Sequence, residues 1–224
     1  MHLQKRLKRW FRLRFAILYP LAVYIAFFSN STDKSIRMGL WFIVPGLLLR
    51  LWANGYAVKT ERLTTCGPYA FVRHPLYLGT ALIFSGFMLM LRVYLVGILS
   101  LLVLSVIYYK TINKEEKMLQ ERFKDAYIDY KHKVPALIPT HYPYGKGEKW
   151  RFSLERLLKS KEHKVFLWMI IASVAFHLKD ELILEHEKFD AKLIILICFL
   201  FALALLDLIV ELVRNKLFQK TTSI

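Results

Sequence analysis

Apolar positions along this chain gather into six long runs, at residues 15–28, 38–53, 76–91, 93–109, 165–178 and 193–213. Blocks of this length, separated by short polar stretches, read as membrane helices and not as half-buried strands. At 1.5 Å per residue the shorter runs reach only about 21–26 Å against a hydrocarbon core of about 30 Å, so flanking lysines and arginines must snorkel or the helices must extend. The first and fifth runs are the weakest, which leaves five helices as the alternative to six. Pro45-Gly46 in the second run suggests a kink, and Arg50 near its inner end reads as a snorkelling packing residue. Only Arg92 separates the third and fourth runs. That spacing predicts a tight helical hairpin whose inner ends, Leu76 and Tyr109, lie side by side.

Beyond Tyr109 the pattern changes from solid blocks to a stripe. Leu119, Phe123, Tyr127 and Tyr130 recur at steps of four, four and three, which predicts an amphipathic helix over residues 113–131. One turn further back the stripe lands on Glu115. Glu115 is therefore expected on the packed side, with Glu116 about 100° round the helix and nearer water. Val134-Pro135 ends the helix, because proline disfavours helical geometry in the residue before it, and Ile138-Pro139 continues as extended chain. Residues 141–164 are basic, aromatic-dotted and rich in turn formers. They read as an interfacial segment with Trp150, Phe152, Leu154 and Leu157 against the membrane surface.

The expected architecture is all-α: one polytopic transmembrane bundle over residues 1–224, about six membrane helices plus the cytoplasmic amphipathic helix. Its core would span residues 54–139, followed by the interfacial segment and a C-terminal helical pair in 140–224. Composition sharpens this picture. A chain that is 56% hydrophobic is too apolar for an ordinary soluble domain. The formal charge of +16 lies between the apolar runs, which favours anionic lipid headgroups over nucleic acid as partners. Lysine and arginine crowd the N-terminus, residues 59–73, residues 110–164 and the C-terminus, so the positive-inside rule puts both termini in the cytoplasm. The first run, with Ser29-Asn30-Ser31 after it, resembles a secretory signal, but Tyr19-Pro20 inside it argues for retention. Cys66 and Cys198 read as free thiols. Asp207 and Glu211, near the inner end of the last run, read as hydrated or paired ends.

Candidate chemistry concentrates in residues 67–79 and around Glu115. Gly67-Pro68 makes a turn, Pro75 suits the first position of the third membrane helix, and His74 then sits at its cap beside Arg73. A helix N-terminus with a neighbouring arginine suits a carboxylate or phosphate, and Glu115 opposite it suits an ammonium or hydroxyl donors. The pair fits a zwitterionic ligand with an adenosine or amino-acid portion. No metal set and no catalytic base stand out; His74, Glu116 and His132 are the nearby titratable groups.

Gly67-Pro68-Tyr69, Arg73-His74-Pro75-Leu76-Tyr77-Leu78-Gly79, Glu115-Glu116 and the following stripe through Val134-Pro135 and Ile138-Pro139 resemble the isoprenylcysteine carboxyl methyltransferase and phospholipid methyltransferase superfamily. The resemblance implies an integral-membrane enzyme that transfers a methyl group from S-adenosylmethionine to a lipophilic acceptor. By the same resemblance Tyr69, Arg73, His74, Pro75, Leu76, Tyr77 and Glu115 line the cofactor site, together with Glu61, Arg62, Leu63, Thr64 and, more loosely, Asn54. The isoprenylcysteine enzymes carry an arginine four residues before the first glutamate, where this chain has Thr111 with Lys110 beside it. Lys110 and Thr111 are thus the expected acceptor contacts. An isoprenylcysteine-like acid is the expected acceptor, a phospholipid amine the alternative, and a non-enzymatic scaffold or small transporter the reading from another class.

Overall fold

A computed structural model describes residues 31–58 and 62–160, together with Cys198 and Ala202. The described elements are helical: α1 (Asp33–Tyr56), a short 3₁₀ turn (Gly67–Ala70), α2 (Pro75–Met90), α3 (Tyr94–Lys133) and α4 (Leu154–Ser160). The apolar runs at 15–28 and 165–178, and all of 193–213 except helical Cys198 and Ala202, lie outside the described residues. α1 and α3 are each long and apolar enough to cross a membrane, and α2 is a shorter apolar helix.

α1 begins with a reciprocal cap. Thr32 accepts from the Ser35 backbone N–H at 3.2 Å, and the Ser35 hydroxyl accepts from the Thr32 N–H at 2.9 Å. Asp33 in the first turn adds a favourable interaction with the helix dipole. The helix continues through Pro45, which supplies no N–H to the turn before it. Its far end is capped by the chain that precedes and enters α4. The Ser153 N–H and the Arg156 side chain both donate to the Gly55 carbonyl at 3.0 Å, and the Trp150 indole donates to the Tyr56 carbonyl at 2.8 Å. Trp150 and Phe152, expected on the membrane surface, contact this helix end, and Phe152 and Leu154 both remain exposed.

α1 and α2 lie against each other backbone to backbone. Gly39 faces Gly86 and Gly46 faces Gly79: a Cβ at Gly39 would sit 2.6 Å from the Gly86 carbonyl oxygen, and one at Gly46 2.8 Å from that of Gly79. Such an approach is possible only without side chains and gives dispersion contact along both helices. Ile43, Leu47, Ile83 and Met90 fill the seam, and the buried Ser35 hydroxyl donates to the Met90 carbonyl. The hairpin from α2 to α3 turns through Leu91–Val93 with Arg92 at φ 56°, as the spacing predicts.

Two expectations change. The fourth run and the amphipathic helix form one helical stretch, α3, and that stretch is not straight. Lys124 has φ 45° and ψ −121°, outside helical geometry. Glu116 and Lys131 form an ion pair at 2.8 Å, although fifteen residues of straight helix would set them about 22 Å apart. The chain therefore doubles back at Lys124, and residues 125–133 fold against the end of the preceding limb. Tyr127, Tyr130 and Val134 form a buried cluster there with Leu63, Leu119, Phe123 and Tyr144. On the membrane limb, Leu95, Ile98, Leu99, Leu102, Val103 and Val106 are all more than half exposed, as suits a lipid-facing surface.

Candidate donor and acceptor site

The site is built on the loop that runs from Arg62 to His74. Gly67 takes φ 61°, and a Cβ there would lie 2.6 Å from the Tyr56 ring, so glycine is required at this turn. The loop is held by chain that follows the reversal. Arg73 N–H donates to the Pro135 carbonyl at 2.9 Å, His74 N–H to Ala136 at 3.0 Å, Thr140 N–H to Phe71 at 2.9 Å and Tyr144 N–H to Ala70 at 2.9 Å. The Tyr130 hydroxyl donates to the Tyr69 carbonyl at 2.6 Å. His74 occupies the N-cap of α2 and Pro75 its first turn, as expected.

Glu116 is the electrostatic centre. It is 6% exposed and accepts from Arg73 at 2.7 Å and Lys131 at 2.8 Å, with His74 Nε2 at 3.3 Å. Burial opposes its ionisation, yet Lys131, Arg73 and His74 together outweigh burial and hold its carboxyl below the usual range. Burial pushes His74 below its ordinary value despite Glu116 and Glu115 nearby, so its imidazole is neutral at neutral pH. Arg73 Nη1 also donates to the Lys131 carbonyl at 2.8 Å, tying the loop to the folded-back limb.

The expected order of the two glutamates is thus reversed for burial. Glu115, expected on the packed side, has a 41% exposed side chain, and Glu116, expected nearer water, is enclosed. Leu119 and Phe123, on the same limb, stand three and seven residues after Glu116 as well as four and eight after Glu115, and with Tyr127 and Tyr130 beyond the reversal at Lys124 the stripe no longer separates the two. The Tyr77 hydroxyl donates to Glu115 at 2.7 Å, and His74 Nδ1 lies 3.7 Å away.

Two cavities of about 320 and 310 Å³ adjoin here. Tyr69, Arg73, His74 and Glu115 face both. The first is completed by Arg50, Pro75, Leu76, Tyr77, Thr80 and Tyr108. The second is completed by Ala57, Val58, Arg62, Leu63 and Thr64 on one side and Met118, Leu119, Tyr127 and Tyr130 on the other. The second has the mixed character that a nucleoside-bearing zwitterion needs: aromatic faces, two arginines, a neutral histidine and a carboxylate. Beside it, the Tyr127 hydroxyl is buried with no hydrogen-bond partner. A buried donor left unmatched is costly, and a polar ligand would offset that cost.

Of the expected cofactor residues, Tyr69, Arg73, His74, Pro75, Leu76, Tyr77, Glu115, Arg62, Leu63 and Thr64 line one cavity or both. Glu61 lies outside the described residues. Asn54 lines neither cavity; it is buried on α1 and donates to the Arg50 carbonyl at 3.0 Å. Lys110 and Thr111, the expected acceptor contacts, also line neither. Thr111 donates to the Ile107 carbonyl of its own helix, and Lys110 is exposed. The cation that faces the first cavity and not the second is Arg50, which the sequence reading left to packing. An arginine inside an apolar run was the available signal. Tyr127 and Tyr130 were visible as stripe residues, but not as cavity walls.

Residues 46–126 match the phospholipid methyltransferase family model. The chain is 38% identical over 81 residues to protein-S-isoprenylcysteine O-methyltransferase of Schizosaccharomyces pombe, covering 36% of this chain and 34% of that protein. It is 37% identical over 124 residues to the Saccharomyces cerevisiae protein of the same name, covering 50% and 52%. A cobalt-zinc-cadmium resistance protein, CzcN of Cupriavidus metallidurans, is 27% identical over 146 residues, covering 64% and 67%. The matched stretches thus span about a third to a half of the two methyltransferases' own lengths. No solved structure matches. The family match covers most of the cavity-lining residues, so the likeness to phospholipid methyltransferases falls on the stretch that builds the two cavities.

Proposed function

We propose that this chain is an integral-membrane methyltransferase that uses S-adenosylmethionine to methylate the carboxylate of a lipophilic, isoprenylcysteine-like acceptor. One observation carries the reading: two cavities adjoin at Tyr69, Arg73, His74 and Glu115, and the one away from the tyrosine cluster holds Arg50. The donor lies in the cavity of Arg62, Leu63, Thr64, Tyr127 and Tyr130. Its reactive end reaches the shared wall, where Pro75, Leu76 and Tyr77 begin. Glu115 matches an ammonium or ribose hydroxyls, and Arg73 with the α2 N-terminus matches a carboxylate.

Arg50 supplies the positive partner for an acceptor carboxylate that Thr111 cannot. When bound, S-adenosylmethionine offers a methyl group on a positively charged sulfur. Attack by a carboxylate neutralises opposite charges, so a site closed to water favours it and needs no base. An amine acceptor must first lose a proton. Glu116 is committed to Arg73 and Lys131, which favours the acid over the phospholipid amine. The acceptor's apolar tail leaves the first cavity along the lipid-facing side of α3. Both termini lie in the cytoplasm, and the basic residues between Lys131 and Lys159 gather anionic headgroups.

The test is methyl transfer from labelled S-adenosylmethionine by the full chain in lipid nanodiscs, to an N-acetyl-S-prenylcysteine acid and to phosphatidylethanolamine in parallel. Methylation of the acid and not the amine is expected. His74→Ala and Glu115→Ala should each weaken donor binding at least tenfold. Exclusive methylation of the amine overturns the acceptor assignment, and a wild type that binds no donor overturns the enzyme reading.

A further inference from the structure

Arg50 reaches the first cavity in an unusual way. Its stem crosses α2 at Gly79, where a Cβ would lie 2.6 Å from Arg50 Cγ. Beyond that crossing, Arg50 Nη1 donates to the Leu76 carbonyl at 3.2 Å and to the Thr80 hydroxyl. The Thr80 hydroxyl itself donates to the Leu76 carbonyl at 2.9 Å, and Tyr108 from α3 hydrogen-bonds the same hydroxyl. A hydroxyl has one proton and two acceptor positions. Thr80 gives its proton to its own helix, accepts from Arg50 on a second and meets the Tyr108 hydroxyl of a third. A threonine needing only to satisfy itself in a membrane helix would stop at the carbonyl four residues back.

We propose that Thr80 is a positioning residue for the acceptor: its hydroxyl fixes the plane and depth of the Arg50 guanidinium and sets Tyr108 beside it, so that the two together receive a carboxylate. The inference rests on the acid reading given above and adds the device that aims the cation. A guanidinium recognises a carboxylate through paired N–H donors in one plane, so a rotated fork loses the match although its charge remains. The Tyr77 ring, 4.8 Å from that of Tyr108, confines the same cavity. Thr80 contacts neither the donor cavity nor the Glu116 cluster, which makes its effect specific to the acceptor.

The experiment measures kcat/KM for an N-acetyl-S-prenylcysteine acid, binding of that acid, and binding of S-adenosylmethionine, in full-length wild type, Thr80→Val, Thr80→Ser, Arg50→Gln and the Arg50→Gln/Thr80→Val pair. Thr80→Val should lower kcat/KM for the acid about tenfold while changing donor affinity less than twofold. Thr80→Ser should restore the acid to within about threefold of wild type. In the Arg50→Gln background Thr80→Val should add nothing, because Thr80 acts through the arginine. A full Thr80→Val loss in that background, a failed serine rescue, or donor affinity falling in step would each overturn the proposal. Wild-type activity that Thr80→Val leaves intact overturns this inference alone. A wild type that neither binds nor methylates the acid overturns the acid reading and this inference with it.

Discussion

At Glu116 three basic side chains meet one carboxylate in a space nearly closed to water. Burying an ion pair is costly unless the geometry and further hydrogen bonds are good, and here Arg73 and Lys131 both close on the same group. The pH dependence follows with a definite sign. His74 and Glu116 both have folded-state values below their ordinary 6.5 and 4.5, so the unfolded chain takes up protons first as pH falls. Stability is full above pH 6.5, declines below it as His74 protonates in the unfolded state, and declines again below 4.5 through Glu116. Thermal unfolding followed from pH 8 to pH 4 should show both steps, and His74→Gln should remove the upper one. A midpoint that stays flat down to pH 5 would contradict the buried neutral imidazole. In the sequence, adjacent Glu115 and Glu116 differ only by a helical phase, and phase is what a chain reversal erases. The residues of the 67–79 stretch were legible because each carries its own local signal: a turn, a cap, a first-turn proline.

Among the elements, the Lys124 reversal and the glycine-faced pair of α1 and α2 govern the rest. A residue at φ 45° and ψ −121° pays a steric cost that glycine avoids, of about 1–3 kcal/mol. After glycine's extra entropy in the unfolded chain is subtracted, Lys124→Gly should stabilise the protein by about 1 kcal/mol. A chemical denaturation midpoint that falls in this variant would show that the lysine's own contacts matter more. In the seam, Gly46→Leu should separate the helices and destabilise by several kcal/mol, since its Cβ would press on the Gly79 carbonyl and on Ile83 Cγ1 at 2.9 Å. Wild-type thermal stability in Gly46→Leu would refute the close approach. The glycine pairs are seven residues apart on both helices, so this contact was written in the sequence and went unread. The reversal was not: nothing local to Arg122-Phe123-Lys124-Asp125 breaks a helix, and only long-range packing of Tyr127, Tyr130 and Val134 compels it.

For the whole molecule, the proposed reading gives one cavity to the donor and the other to the acceptor, along a wall that serves both. Variants should sort accordingly. Glu115→Gln on the shared wall should impair donor affinity and acceptor kcat/KM together, whereas Arg50→Gln should cost the acceptor about a hundredfold and leave donor affinity within twofold. Equal losses from Arg50→Gln in both measurements would mean that the cavities are one.

The backbone bonds that shape the loop carry a consequence for how the protein is made. Every residue lining either of these two cavities lies at or before Tyr130, yet backbone bonds to the loop that carries Tyr69 and His74 come from Pro135, Ala136, Thr140 and Tyr144. A nascent chain paused at residue 133 therefore owns all of those cavity-facing side chains, with the Tyr130 and Lys131 ties to the loop, and still lacks the backbone brace from residues 135–144. On the proposed reading, competence needs the next dozen residues to emerge, and a chain stalled at residue 133 is expected to bind neither donor nor acceptor until the segment that follows folds back over what came before.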